Sequence, residues 1–175
     1  RMFKIMCEEI DGQPQGGAVQ FPLRFDSGIM RGRFNPKDGQ LYAVGLKVWQ
    51  TSGARYGAFH RVRYTGKPVN MPADLHVKNG GLEITFTDPL DAASAVDDQN
   101  YAIDQWNYRW TQNYGSKLYS TKDPSKVLGE KKQAVFKGDT IEIQSIKLSE
   151  DKKTVTLKVA ELKPVMQSRI RYNIK

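Results

Sequence analysis

Apolar and polar side chains alternate along much of this chain. Leu82, Ile84 and Phe86 alternate with Glu83, Thr85 and Thr87. Val155, Leu157 and Val159 alternate with Thr154, Thr156 and Lys158, and Ile170, Tyr172 and Ile174 with Arg169, Arg171 and Asn173. A period of two sends successive side chains to opposite faces, so each segment reads as a strand with one buried and one wet face. No segment of about 12 residues sustains the i, i+3, i+4, i+7 spacing of a helix. Strands are predicted at 2–10, 17–21, 28–34, 40–48, 57–64, 73–78, 82–87, 100–111, 140–149, 154–160 and 167–174. Turn signals fall between them at Asn35-Pro36-Lys37-Asp38-Gly39, Asn79-Gly80-Gly81 and Glu150-Asp151-Lys152-Lys153. One helical turn is predicted at 91–95, with Asp91 as N-cap before Ala92 and Ala93. The chain is therefore expected to be all-β.

Two prolines between Lys67 and Pro72 interrupt pairing, because proline lacks the ladder donor. This places a boundary there, with a β segment at 1–67 and an antiparallel sandwich at 73–175. In that sandwich Leu82, Ile84, Phe86, Leu157 and Ile170 should face inward, since a one-residue slip would expose the whole apolar set. The stretch 112–138 is long and polar and reads as a loop.

With 175 residues and 39% hydrophobic composition the chain can build a core. No run approaches the ~20 apolar residues of a membrane helix, so no membrane span is expected. The net charge is +8. Residues 1–87 carry 12 basic and 7 acidic side chains, and 88–175 carry 15 and 12. The excess looks spread out, and the densest run, Lys117 to Lys137, is interrupted by Asp123 and Glu130 and reads as a solvated loop. No nucleic-acid partner is expected, since tight binding needs basic groups clustered on one stripe. Cys7 is the single cysteine, which excludes an intramolecular disulfide and a Cys-rich metal centre. No signal peptide is visible, and the abrupt entry into a strand pattern reads as part of a larger protein.

Two regions carry a resemblance. Gln15-Gly16-Gly17-Ala18, Ser27-Gly28-Ile29, Phe34-Asn35-Pro36-Lys37-Asp38-Gly39-Gln40-Leu41-Tyr42 and Gly57-Ala58-Phe59-His60-Arg61-Val62-Arg63-Tyr64-Thr65-Gly66 resemble the last propeller blade of sorbosone/glucose dehydrogenase-like proteins. Phe86-Thr87-Asp88-Pro89-Leu90-Asp91-Ala92-Ala93-Ser94-Ala95 and the hairpin around Ser149–Leu157 are similar to bacterial Ig-like modules. Trp106 to Ser116 is similar to an aromatic insert of large exported dehydrogenase-like proteins. The resemblance implies an Ig-like sandwich preceded by a propeller-blade-like or small barrel-like segment. It also implies a periplasmic or extracellular setting, with other domains of a quinone- or cytochrome-linked sugar dehydrogenase-like parent as partners. The family's catalytic residues and its quinone and calcium sites belong to other blades and have no counterpart here. The chain is expected to be a non-catalytic structural or interaction module without a cofactor.

The strongest local feature is Trp106, Tyr108 and Trp110, whose i, i+2, i+4 spacing puts three rings on one strand face. The expected role is core, because large rings bury much area. The alternative is a platform that stacks sugar rings of a polysaccharide, extended by Asn113 and Tyr114 and by Asn107, Arg109 and Gln112 nearby. A second set, Trp49, Tyr56 and His60, reads as a hairpin closing over its sheet. Asp88, Asp91, Asp97 and Asp98 lack an EF-hand spacing and read as turn and cap residues, so no metal site is assigned.

Overall fold

The computed structural model describes residues 1–47, 53–112, 115–130 and 137–175. Strands hold 52% of the residues and helices 5%, and every strand pair is antiparallel, which makes the chain all-β. It divides into two compact units, Arg1–Met71 and Pro72–Lys175.

The first unit begins with a ribbon of β1 (Phe3–Ile10) and β2 (Gln13–Gln20). The two-residue turn between them is Asp11-Gly12, both with positive φ, the geometry that matches the twist of a hairpin. Then β3 (Gly28–Phe34), β4 (Leu41–Leu46) and β5 (Gly57–Val62) form a three-stranded sheet. Gly45 is required here: a Cβ on it would sit 1.7 Å from the Gly28 carbonyl oxygen of the paired strand. Ala43 is fully buried on one face of this sheet, beside His60 across the register, and the His60 ring meets Phe25 edge-on at 5.1 Å.

The second unit is a sandwich. One sheet runs in the order β12-β13-β7-β6, from β6 (Pro72–Lys78), β7 (Gly81–Phe86), β12 (Ile143–Leu148) and β13 (Thr154–Val159). The other is built on β8 (Tyr101–Tyr108). Along one edge β8 pairs with β14 (Gln167–Tyr172). Along the rest it pairs with β11 (Asp139–Ile141) at Ile103–Gln105 and with β9 (Lys117–Tyr119) at Asn107–Tyr108. β10 (Val127–Glu130) extends β9. Leu82, Ile84, Phe86, Val155, Leu157 and Val159 from the first sheet share one core with Tyr101, Ile103 and Ile141 from the second. Ile170 and Tyr172 pack against it, and Phe86 and Tyr172 meet edge-to-face at 5.4 Å. The inward set read from the alternation is therefore inward.

The helix α1 is Ala92–Val96, and the Asp91 carboxylate accepts from the Ser94 amide at its N-cap. One expectation is corrected. Residues 117–119 and 127–130, read as solvated loop, are strands that lengthen the β8 sheet through backbone pairing.

Candidate functional site

The register of β8 decides the fate of the aromatic row. Ile103 pairs with Ile141 on one side and Ile170 on the other, and Tyr101 with Tyr172. The odd positions are thus the core face, and the even positions Asp104, Trp106 and Tyr108 lie on the outer face. This overturns the core assignment of the row. Trp106 is half-buried, Tyr108 is 39% exposed and Trp110, past the end of the strand, is 99% exposed. Asn113 and Tyr114 lie outside the described residues, as does Trp49.

Asp104 anchors the outer face although it is only 1% exposed. Arg169, its cross-strand neighbour, donates Nε–H to Oδ1 at 3.0 Å and Nη2–H to Oδ2 at 2.6 Å. The Gly138 amide donates to Oδ2 at 3.0 Å, and Arg171 approaches Oδ1 at 3.7 Å. Burial alone would raise the pKa of this carboxyl. The Arg169 and Gly138 hydrogen bonds and the two guanidinium charges outweigh it and hold the group below its ordinary value. The Arg169 guanidinium lies 5.7 Å from the Trp106 ring centroid, which fixes that indole on a cationic neighbour.

At the end of β8 the sheet opens into a cleft of about 500 Å³. Asn107, Tyr108, Arg109 and Tyr119 line one side, and Pro164, Val165 and Met166 another. Arg109 lies over the Tyr119 ring at 4.1 Å, donates Nη2–H to the Pro124 carbonyl at 2.6 Å, and gives its amide to Ser116 Oγ at 2.9 Å. It is thus locked as a flat cationic lid on an aromatic ring. Asn107 Oδ1 accepts from the Met166 amide at 2.9 Å and ties the two sides together.

The loop below is fixed by Asp139. Its Oδ2 accepts from Ser120 Oγ at 2.7 Å, from Thr121 Oγ1 at 3.0 Å, and from the Thr121 and Lys122 amides. Burial again acts upward, and these donors win, so its pKa is lowered. Both carboxylates are fully engaged as braces.

Sequence reasoning found Trp106, Tyr108 and Trp110 and named Asn107 and Arg109 as polar neighbours of the row. It missed Pro164, Val165 and Met166, which follow β13 by several residues and reach the cleft only through the pairing of β14 with β8. The aspartates 88, 91, 97 and 98 act locally: Asp91 and Asp97 cap helical turns, Asp98 accepts from Gln99 Nε2, and Asp88 accepts from Thr87 Oγ1. No cluster of three metal-ligating side chains occurs among the described residues. His76 lies on the surface, 3.4 Å from Asp74. Comparison with family models, curated proteins and solved structures returns no match.

Proposed function

We propose that this chain is a non-catalytic binding module of a larger exported protein, and that the aromatic end of β8 recognises a carbohydrate chain. The observation that carries the reading is Trp110: a large indole 99% exposed, next along the chain from Arg109, which lines the cleft and lies over the Tyr119 ring. An exposed indole contributes little to folding, so a ligand that stacks on it is the economical role. Asn107 and Tyr108 line the cleft and offer hydrogen-bonding groups to the hydroxyls of a sugar chain that enters it.

The family resemblance of the sequence supports the setting. It makes the second unit an Ig-like module, the first a propeller-blade-like segment, the location periplasmic or extracellular, and the parent a sorbosone dehydrogenase-like protein.

The test is a fluorescence titration of the whole chain with soluble neutral polysaccharides. Binding should quench or shift the tryptophan emission, and Trp110→Ala should abolish the response with the melting temperature unchanged. A titration silent for every polysaccharide tried would refute the reading. So would sugar or aldehyde oxidation by the chain with added quinone and calcium.

A further inference from the structure

The division of the chain changes the charge picture. Residues 1–71 hold eleven basic and five acidic side chains, a net +6 of the total +8. Part of that excess sits on one face of the β3-β4-β5 sheet. The register places Arg31, Val44 and Phe59 in one row across the three strands, and Arg33, Tyr42 and Arg61 in the next. Residues directly opposite in an antiparallel sheet point to the same side, so these six form a single grid. It is the face turned away from Ala43 and His60.

The grid is open. Phe59 is 69% exposed and Val44 is exposed, while Tyr42 is half-buried. The Tyr42 and Phe59 rings lie 5.7 Å apart and tilted by 31°, so they make one continuous apolar floor. Arg33 and Arg61 flank Tyr42 on its two sides, roughly 10 Å apart at the backbone, given a strand spacing of about 4.8 Å. Arg31 and Arg33 donate to neighbouring backbone carbonyls. None of the three forms an ion pair with a carboxylate among the described residues. Asp38 stands at the rim, accepting from the Tyr42 hydroxyl at 2.8 Å and lying within the field of Arg61.

We infer that this sheet face binds an acidic polysaccharide, a chain of sugar rings bearing carboxylates. The flat floor takes the apolar face of a sugar ring. The arginines present planar donor pairs that match a carboxylate in two parallel hydrogen bonds. Asp38 favours a sugar over a nucleic acid: its remaining oxygen lone pairs accept from ring hydroxyls, which a polyuronate presents in greater number than a nucleic-acid backbone. The two rings, merged into one floor, also give one stacking surface where a nucleic-acid strand would use successive separated rings. The site is independent of the cleft at the end of β8.

The experiment titrates the full chain with polygalacturonate, with dextran as neutral control and poly(U) as nucleic-acid control. Polygalacturonate should bind, weakening as salt is raised, and dextran should leave this face unaffected. The double variant Arg33→Ala/Arg61→Ala should weaken polygalacturonate binding by about tenfold or more, the effect of losing charge-assisted hydrogen bonds. Phe59→Ala should weaken it without altering the salt dependence. Trp110→Ala, which tests the other site, should leave it intact. Equal affinity of the Trp110→Ala chain for dextran, an unchanged double variant, or tighter binding to poly(U) would each overturn the assignment. Circular dichroism of each variant matched to the parent chain excludes misfolding as the cause of a loss.

Discussion

The two units use the same strand vocabulary and reach different ends. Pro72–Lys175 closes two sheets over a shared core in which Val155 and Leu157 are wholly buried. Arg1–Met71 also folds into antiparallel sheets, yet leaves Phe34 72% exposed along with Ile5, Phe59 and Tyr64. The difference lies in what faces each sheet. Backbone pairing satisfies the ladder in both, but only a second apolar layer removes the side chains from water. Strand formation and core formation are thus separable, and the exposed face of the first unit is available for a ligand.

The largest effect expected from this contrast is on Leu157. Leu157→Ala should cost about 2–5 kcal/mol through lost burial and the cavity left behind. That lowers the melting temperature of the second unit on the order of 10 °C or more, measurable by calorimetry. A shift near zero would place Leu157 outside the core.

A smaller effect is expected in acid. Asp104 and Asp139 titrate below their ordinary value in the folded state. Their contribution is therefore complete above the unfolded carboxyl pKa of about 3.9, and is lost as the pH falls through the folded values. The second unit should lose stability steadily below about pH 4. The double variant Asp104→Asn/Asp139→Asn should start less stable at pH 7 and show a flatter acid limb in chemical denaturation. An unchanged acid limb would mean that other groups govern it.

The smallest effect is expected in the first unit. Phe59→Ala removes an exposed ring and should change stability by less than about 0.5 kcal/mol. A loss comparable to that of Leu157→Ala would erase the contrast between the units.

Much of this was legible in the sequence because one-sided alternation is unambiguous where only one face is apolar, as in Leu82–Phe86 and Thr154–Val159. In β8 both faces carry large side chains: Tyr101 and Ile103 on one, Trp106 and Tyr108 on the other. Alternation alone gives no preference there, and the choice is made by Ile141 and Ile170 on the strands either side. The row's strand spacing was visible, but its direction was not. The strands at 117–119 and 127–130 were invisible for another reason. They are only three and four residues long, too short to show a period, and their place depends on backbone pairing and on Asp139, 17 to 19 residues away from its donors. Such long-range braces leave no periodic mark.

Glu142 alone separates β11 from β12, so the chain leaves one sheet at Ile141 and enters the other at Ile143. Its carbonyl accepts from the Ala160 amide, which holds the crossing in place. The two layers are therefore stitched by a single backbone step in addition to their side chains. A local opening that peels β11 from β8 must disturb β12 on β13. Amide protons on the two strands should then exchange with solvent in one concerted event, with matching protection, rather than layer by layer.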